Sequence, residues 1–180
     1  MKRSVLLIAV VCLLLALGAG RLLAHEEDWT TTFSSLDQQV FVHNDDEPYK
    51  GWAKLTVYND TSDYWTDFHF KITSVNGSDI SGTYFVDGMQ GQINCDPTSS
   101  QSGLSWVIND NPAGGTMDLY FLSDPVAPGA EAWFKVYTDN TTNKVQFGLC
   151  TYPTIPEPGS MLALLSGIVG LGGFALRKRS

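Results

Sequence analysis

Short stretches in which apolar and polar residues alternate recur through the middle of the chain. They are Gln38–His43, Trp52–Asn59, Tyr64–Val75, Thr83–Asp87, Leu104–Asn109, Thr116–Ser123, Ala132–Asp139 and Val145–Cys150. Turn formers separate them, among them Asn59-Asp60-Thr61-Ser62-Asp63, Asn76-Gly77-Ser78-Asp79, Asn109-Asp110-Asn111-Pro112 and Asp124-Pro125. No stretch keeps an apolar period of 3.6 residues, so the pattern predicts strands rather than helices. About eight strands at this spacing predict an all-β fold, a single antiparallel β-sandwich of Greek-key or jelly-roll type.

Successive strand residues point to opposite faces, so parity assigns a core. Ala53, Leu55 and Val57 form one inward set, and Phe68, Phe70 and Ile72 another. Met117, Leu119 and Phe121, then Ala132, Phe134 and Val136, then Val145, Phe147 and Leu149 complete it. Each such side chain, fully buried, contributes about 1.5–3 kcal/mol before entropy is counted. The opposite parity puts Trp52, Lys54, Thr56 and Tyr58 outside, with Trp133, Lys135 and Tyr137. Trp106 alternates with Leu104 and Ile108 and is expected in the core.

Both ends depart from this pattern. Lys2 and Arg3 precede an apolar run from Val5 to Leu17, then small residues and the acidic start His25-Glu26-Glu27-Asp28. This is the layout of a secretory signal peptide, with a cut after Ala24 or, alternatively, near Gly20. At the other end Gly159 to Leu176 carries no charge and Arg177-Lys178-Arg179 follows at once. As a helix this run would span about 27 Å, enough to cross a hydrocarbon core, with the basic cluster held on the cytoplasmic side. The expected organisation is a signal peptide at 1–24, a β-sandwich ectodomain at 25–152, a linker at 153–158, a transmembrane helix at 159–176 and a basic tail at 177–180.

Charge agrees with export. The chain of 180 residues has a net charge of −8, but the charges are segregated. Between His25 and Ile155 eighteen acidic residues face five basic ones, and all four arginines (Arg3, Arg21, Arg177, Arg179) lie outside that stretch. An acidic body of this kind argues against nucleic-acid binding.

The segment before the apolar span reads Pro156-Glu157-Pro158-Gly159. Pro-Glu-Pro, a short Gly-rich hydrophobic span and a terminal basic cluster, in this order, resemble the PEP-CTERM sorting signal of bacterial envelope proteins. The resemblance covers Pro156 to Arg179 and rests on Pro156, Glu157, Pro158, Arg177, Lys178 and Arg179. It implies a partner, an exosortase-type membrane peptidase, and processing near the Pro-Glu-Pro motif. It also implies delivery to the cell surface or extracellular matrix, in bacteria that make exopolysaccharide and biofilm. Two prolines give the motif a readable shape, because they force an extended segment just outside the bilayer. Trp65-Thr66-Asp67-Phe68-His69-Phe70 and Pro125-Val126-Ala127-Pro128-Gly129 look like ectodomains associated with this signal, which carry no activity to transfer.

Candidate chemistry in the body is sparse. Cys95 and Cys150 are the only cysteines after the signal, and in an oxidising compartment they are expected to pair. Such a bridge would add about 4 kcal/mol in the chain-entropy model. His25, His43 and His69 are the only histidines. His25 stands at the expected mature terminus, and His69 alternates out of the Phe68/Phe70 face toward the surface. No HExxH, GxSxG or phosphate-loop pattern occurs, so no catalytic residue and no metal ligand is assigned, and no enzyme is expected. Calcium is the one cofactor considered, at the turn acids Asp79, Asp96, Asp110, Asp118, Asp124 and Asp139, although none has EF-hand spacing. Sugar stacking is considered at the outward Trp52 and Trp133. The expected role is structural or adhesive. The alternatives are a carbohydrate- or calcium-binding module, or a secreted hydrolase.

Overall fold

A computed structural model of the chain describes residues 24–109, 114–141 and 146–155. The expected signal peptide up to Leu23, the Pro-Glu-Pro motif with Pro156, Glu157 and Pro158, the apolar span, and Arg177, Lys178 and Arg179 lie outside the described residues, as do Asp110 and Val145. Among the described residues every regular element is a strand. No helix there is long and apolar enough to cross a membrane.

The strands are β1 (His25–Phe33), β2 (Gln39–Asn44), β3 (Lys50–Asn59), β4 (Asp67–Thr73), β5 (Thr83–Val86) and β6 (Met89–Gln90). They continue with β7 (Ile93–Asn94), β8 (Thr98–Ser99), β9 (Ser105–Asn109), β10 (Thr116–Tyr120), β11 (Glu131–Asn140) and β12 (Gln146–Thr154). One five-stranded sheet runs β1-β3-β11-β5, with β8 also paired to β11. A second runs β2-β12-β4-β10-β9, and β6 and β7 form a small hairpin.

The apolar faces of the two large sheets share one core. Phe68 on β4 stacks on Phe134 of β11, ring centroids 4.6 Å apart, and Phe121 stacks on the same ring at 5.3 Å. Every described member of the five inward sets is buried in this cluster. Tyr137 keeps its outward parity yet is 2% exposed. Trp52 packs edge-on against its ring, and Cys95 is close enough for its charge to act on the phenol. Trp106 and its neighbours Leu104 and Ile108 are only partly buried against the core. The indole of Trp106 reaches outward to donate to Asp87 Oδ2 at 2.9 Å. Trp65, by contrast, is completely buried, bridged to Val126 outside the named strands.

One pairing departs from the antiparallel expectation. β1 lies parallel to β3, in register from His25↔Gly51 to Phe33↔Asn59. The chain leaves β1, makes β2 in the opposite sheet and returns, so β3 runs in the same sense as β1. β1 itself has no counterpart in the eight predicted stretches. Its inward positions are His25, Glu27, Trp29, Thr31 and Phe33, too polar to read as a buried face. At the far end β12 continues through Pro153 and Thr154, residues assigned above to the linker. Pro153 lies past Thr151, the last residue that β2 pairs, where a strand bounded on one side tolerates a missing N–H.

The registers define two poles. His25, Gly51, His43, Asn44 and Gln146 gather at one. Phe33, Asn59, Trp65 and Thr154 gather at the other, tied by Thr66 N–H donating to Thr154 O and Asp60 N–H to Phe33 O. At about 3.3 Å per residue the length of β1 separates them by roughly 25 Å.

Candidate functional site

β1 and β2 are edge strands of opposite sheets whose inward side chains meet and close the gap between the sheets. The contents of this seam change along its length. Thr31 donates to Gln39 Oε1 at 2.7 Å, and Trp29 meets Phe41 with ring centroids 5.7 Å apart. Further toward the first pole the seam becomes ionisable. His43 is completely buried, stacked on Phe147 at 4.7 Å, with the His25 ring against it at 5.5 Å.

Around His43 two carboxylates converge. Its Nδ1 is 3.4 Å from Glu27 Oε2 and its Nε2 is 3.5 Å from Asp45 Oδ1. Neither contact has hydrogen-bond geometry. Both ring nitrogens of His43, Nε2 of His25 and Oδ1 of Asp45 are buried without a hydrogen-bond partner. The carboxylates are nevertheless positioned. Glu27 Oε2 accepts the backbone N–H of Asn44 at 2.9 Å, and Asp45 Oδ2 accepts from Asn140 Nδ2 at 3.2 Å. His25, Glu27 and His43 each offer one donor atom, and the three atoms lie within 4.8 Å of one another. Of the described residues this is the one group of three or more His, Cys, Asp or Glu so arranged.

A second polar cluster lies on the outer face of the other sheet near the opposite pole. His69 Nδ1 is 2.7 Å from Asp118 Oδ1 and its Nε2 is 3.3 Å from Thr154 Oγ1. Tyr152 stacks on the imidazole at 4.8 Å, and a shallow groove runs past Tyr120 and Leu122. Burial, then the charges of Asp118 and Asp67, push the Tyr120 phenol above its ordinary value. The line Asp118–His69–Thr154 imitates a nucleophile relay, but Thr154 donates its hydroxyl proton to Asp67. The cluster reads as a surface polar network of His69, Asp118, Thr154 and Asp67. This agrees with the outward parity of His69.

The sites expected from the sequence fall out separately. Trp52 and Trp133 do lie on the outer face of the first sheet, both half-buried. Trp52 is occupied, however, with Lys135 Nζ 4.9 Å above its ring and Tyr137 edge-on at 5.0 Å. Cys95 and Cys150 are both buried and both free, so the expected disulfide is not made. The reason is topological. Cys150 has the parity opposite to core residues Phe147 and Leu149, outside the second sheet beside Lys71. Cys95 sits by Tyr137 and Asp139, outside the first. Burial pushes both thiols up from their ordinary value, Lys71 partly offsetting this at Cys150.

The turn acids do not converge either. Asp79 Oδ1 accepts Ser81 N–H, Asp96 Oδ1 accepts Gly88 N–H and Asp124 Oδ2 accepts Ser102 N–H. Asp118 holds His69, and Asp139 pairs with Lys50 at 2.5 Å. The cluster that does form was missed because its residues are remote in sequence and two belong to the unrecognised β1. The available signal was the i, i+2 spacing of His25 and Glu27, in phase with Trp29 and Phe33, and the phase of His43 with Phe41. Comparison of the chain with family models, with curated proteins and with solved structures finds no match.

Proposed function

We infer that the chain is an exported β-sandwich protein, of Greek-key or jelly-roll type, displayed at a bacterial cell surface or in extracellular matrix. It reaches that place through its C-terminal PEP-CTERM-like signal and has a structural or adhesive role. The observation that carries this reading is where the described core and strands lie relative to the motif. Among the described residues the last strand ends at Thr154, the last core residue is Leu149, and Ile155 is exposed one residue before Pro156. A peptidase acting at the Pro-Glu-Pro motif would leave every described core residue in the chain. The acidic body between basic ends supports the same direction of export.

Carbohydrate binding is the weaker reading, because Lys135 covers the Trp52 face on which a sugar would stack. Calcium at the turn acids is weaker still, since each described one is bonded to a different partner. The test is mass spectrometry of the mature protein from a host with an exosortase-type enzyme. The expected product begins at His25 and ends near Pro156–Pro158. A chain intact through Ser180 would refute the sorting reading and leave a tail-anchored protein.

A further inference from the structure

We propose that the seam between β1 and β2 is a binding site for one divalent transition-metal ion of the zinc and copper class, held by His25, Glu27 and His43. The proposal is independent of how the protein is sorted. It starts from four buried polar atoms without hydrogen-bond partners: His25 Nε2, both ring nitrogens of His43, and Asp45 Oδ1. A buried polar atom that nothing meets is costly. Native folds leave few such atoms; His43 Nε2 and Asp45 Oδ1 face each other at 3.5 Å, and an ion would meet the other two, His25 Nε2 and His43 Nδ1.

The geometry suits an ion. Three donors from three side chains lie within 4.8 Å of one another. His43 Nδ1 and Glu27 Oε2 are already 3.4 Å apart. That is the edge of a tetrahedron with metal–ligand bonds of about 2.1 Å, roughly 3.4 Å. A small rotation of the half-buried His25 ring completes the set. Three protein donors leave a fourth position for water or another ligand.

The surroundings of the donors match as well. A histidine that binds a metal through one nitrogen commonly turns the other to a carboxylate. His43 places Nε2 3.5 Å from Asp45 Oδ1, and Asn140 holds the second oxygen of that carboxylate. Glu27 is aimed by the backbone N–H of Asn44. Two imidazoles with one carboxylate are a donor set that zinc uses, and imidazole also suits copper, whereas calcium takes an all-oxygen shell.

The exported protein is stripped with a chelator and titrated with Zn(II) or Cu(II) alone. The expected result is one ion per chain and a raised Tm. His25→Ala and Glu27→Gln should weaken binding by at least about tenfold, and Asp45→Asn by about 10–100-fold. His25 and Glu27 are only half-buried, so these variants keep the fold. The Cu(II) form should show electron-spin coupling to two imidazole nitrogens, and His69→Ala should leave affinity unchanged. No bound ion would overturn the proposal, as would binding that survives both His25→Ala and Glu27→Gln.

Discussion

Gly51 lies opposite His25 where β1 begins to pair with β3, and replacing it with alanine tests how the seam is built. A Cβ at Gly51 would stand 2.4 Å from the His25 carbonyl oxygen and 3.1 Å from the His25 Cβ. The first distance is roughly 1 Å inside van der Waals contact. The obstructing atom is backbone, which no rotamer change can withdraw. β1 must therefore lift from β3 at its first pair and carry His25 away from His43. Overpacking of this kind costs about 1–3 kcal/mol. With a urea m-value of about 1–3 kcal/mol/M, the midpoint should fall by about 1 M, measured by tryptophan fluorescence. Gly148→Ala is the comparator. Its Cβ would meet Val75 Cγ1 at 2.6 Å, Thr73 Cγ2 at 2.8 Å and Val40 Cγ1 at 3.2 Å, methyls of side chains that are not fully buried and that a change of χ1 can move, unlike backbone. The smaller loss is expected there. A midpoint for Gly51→Ala equal to that of the parent, or a larger loss in Gly148→Ala, would refute the reasoning.

Three further outcomes follow from the core and its titratable groups. Phe134→Ala removes the ring stacked between Phe68 and Phe121 and should cost about 3–5 kcal/mol in denaturant unfolding, a loss below 1 kcal/mol speaking against a shared core. Burial, then the nearby Cys95 and the charges of Asp139 and Asp45, push the Tyr137 phenol up to about 12. A neutral form favoured by folding contributes stability that is complete below the ordinary value of about 10 and is lost as pH rises from there toward 12. Alkaline unfolding should therefore shift upward in Tyr137→Phe, read by circular dichroism. Finally, Cys95 and Cys150 should resist maleimide in the folded protein and react once it is unfolded, and reductant should leave Tm unchanged. An intact mass showing an oxidised pair would contradict the placement of the two thiols on opposite sides of the core.

The core was legible because its strands obey simple alternation over five residues or more. Ala53 to Val57 and Ala132 to Val136 carry that pattern cleanly, and both sets are buried. The edge of the fold was not legible. β1 buries histidine, glutamate and threonine beside only two aromatic residues, so hydrophobicity at a period of two is too weak to mark it. β6, β7 and β8 are two residues each, too short for any period. Tyr137 followed the alternation rule in direction but not in exposure, because packing from outside the sheet is invisible to a local pattern. The same holds for the cysteines: a tendency to pair is a property of the compartment, whereas their distance is set by which sheet each strand joins. The His25–Glu27–His43 grouping depends on a meeting of edge strands from two sheets, which no spacing along the chain encodes.

The separation of the two poles has a mechanical consequence. If the chain is held beyond Ile155 and something grips the end at His25, tension enters β12 at one extremity and β1 at the other, along the strand axes. β12 is flanked by six register pairs with β2 and seven with β4, and β1 by nine with β3. Under such a pull these hydrogen bonds are loaded together in shear instead of being unzipped one after another. Survival under load then depends on the rate of rupture rather than on equilibrium stability, and a fold strung in this way is suited to bearing drag.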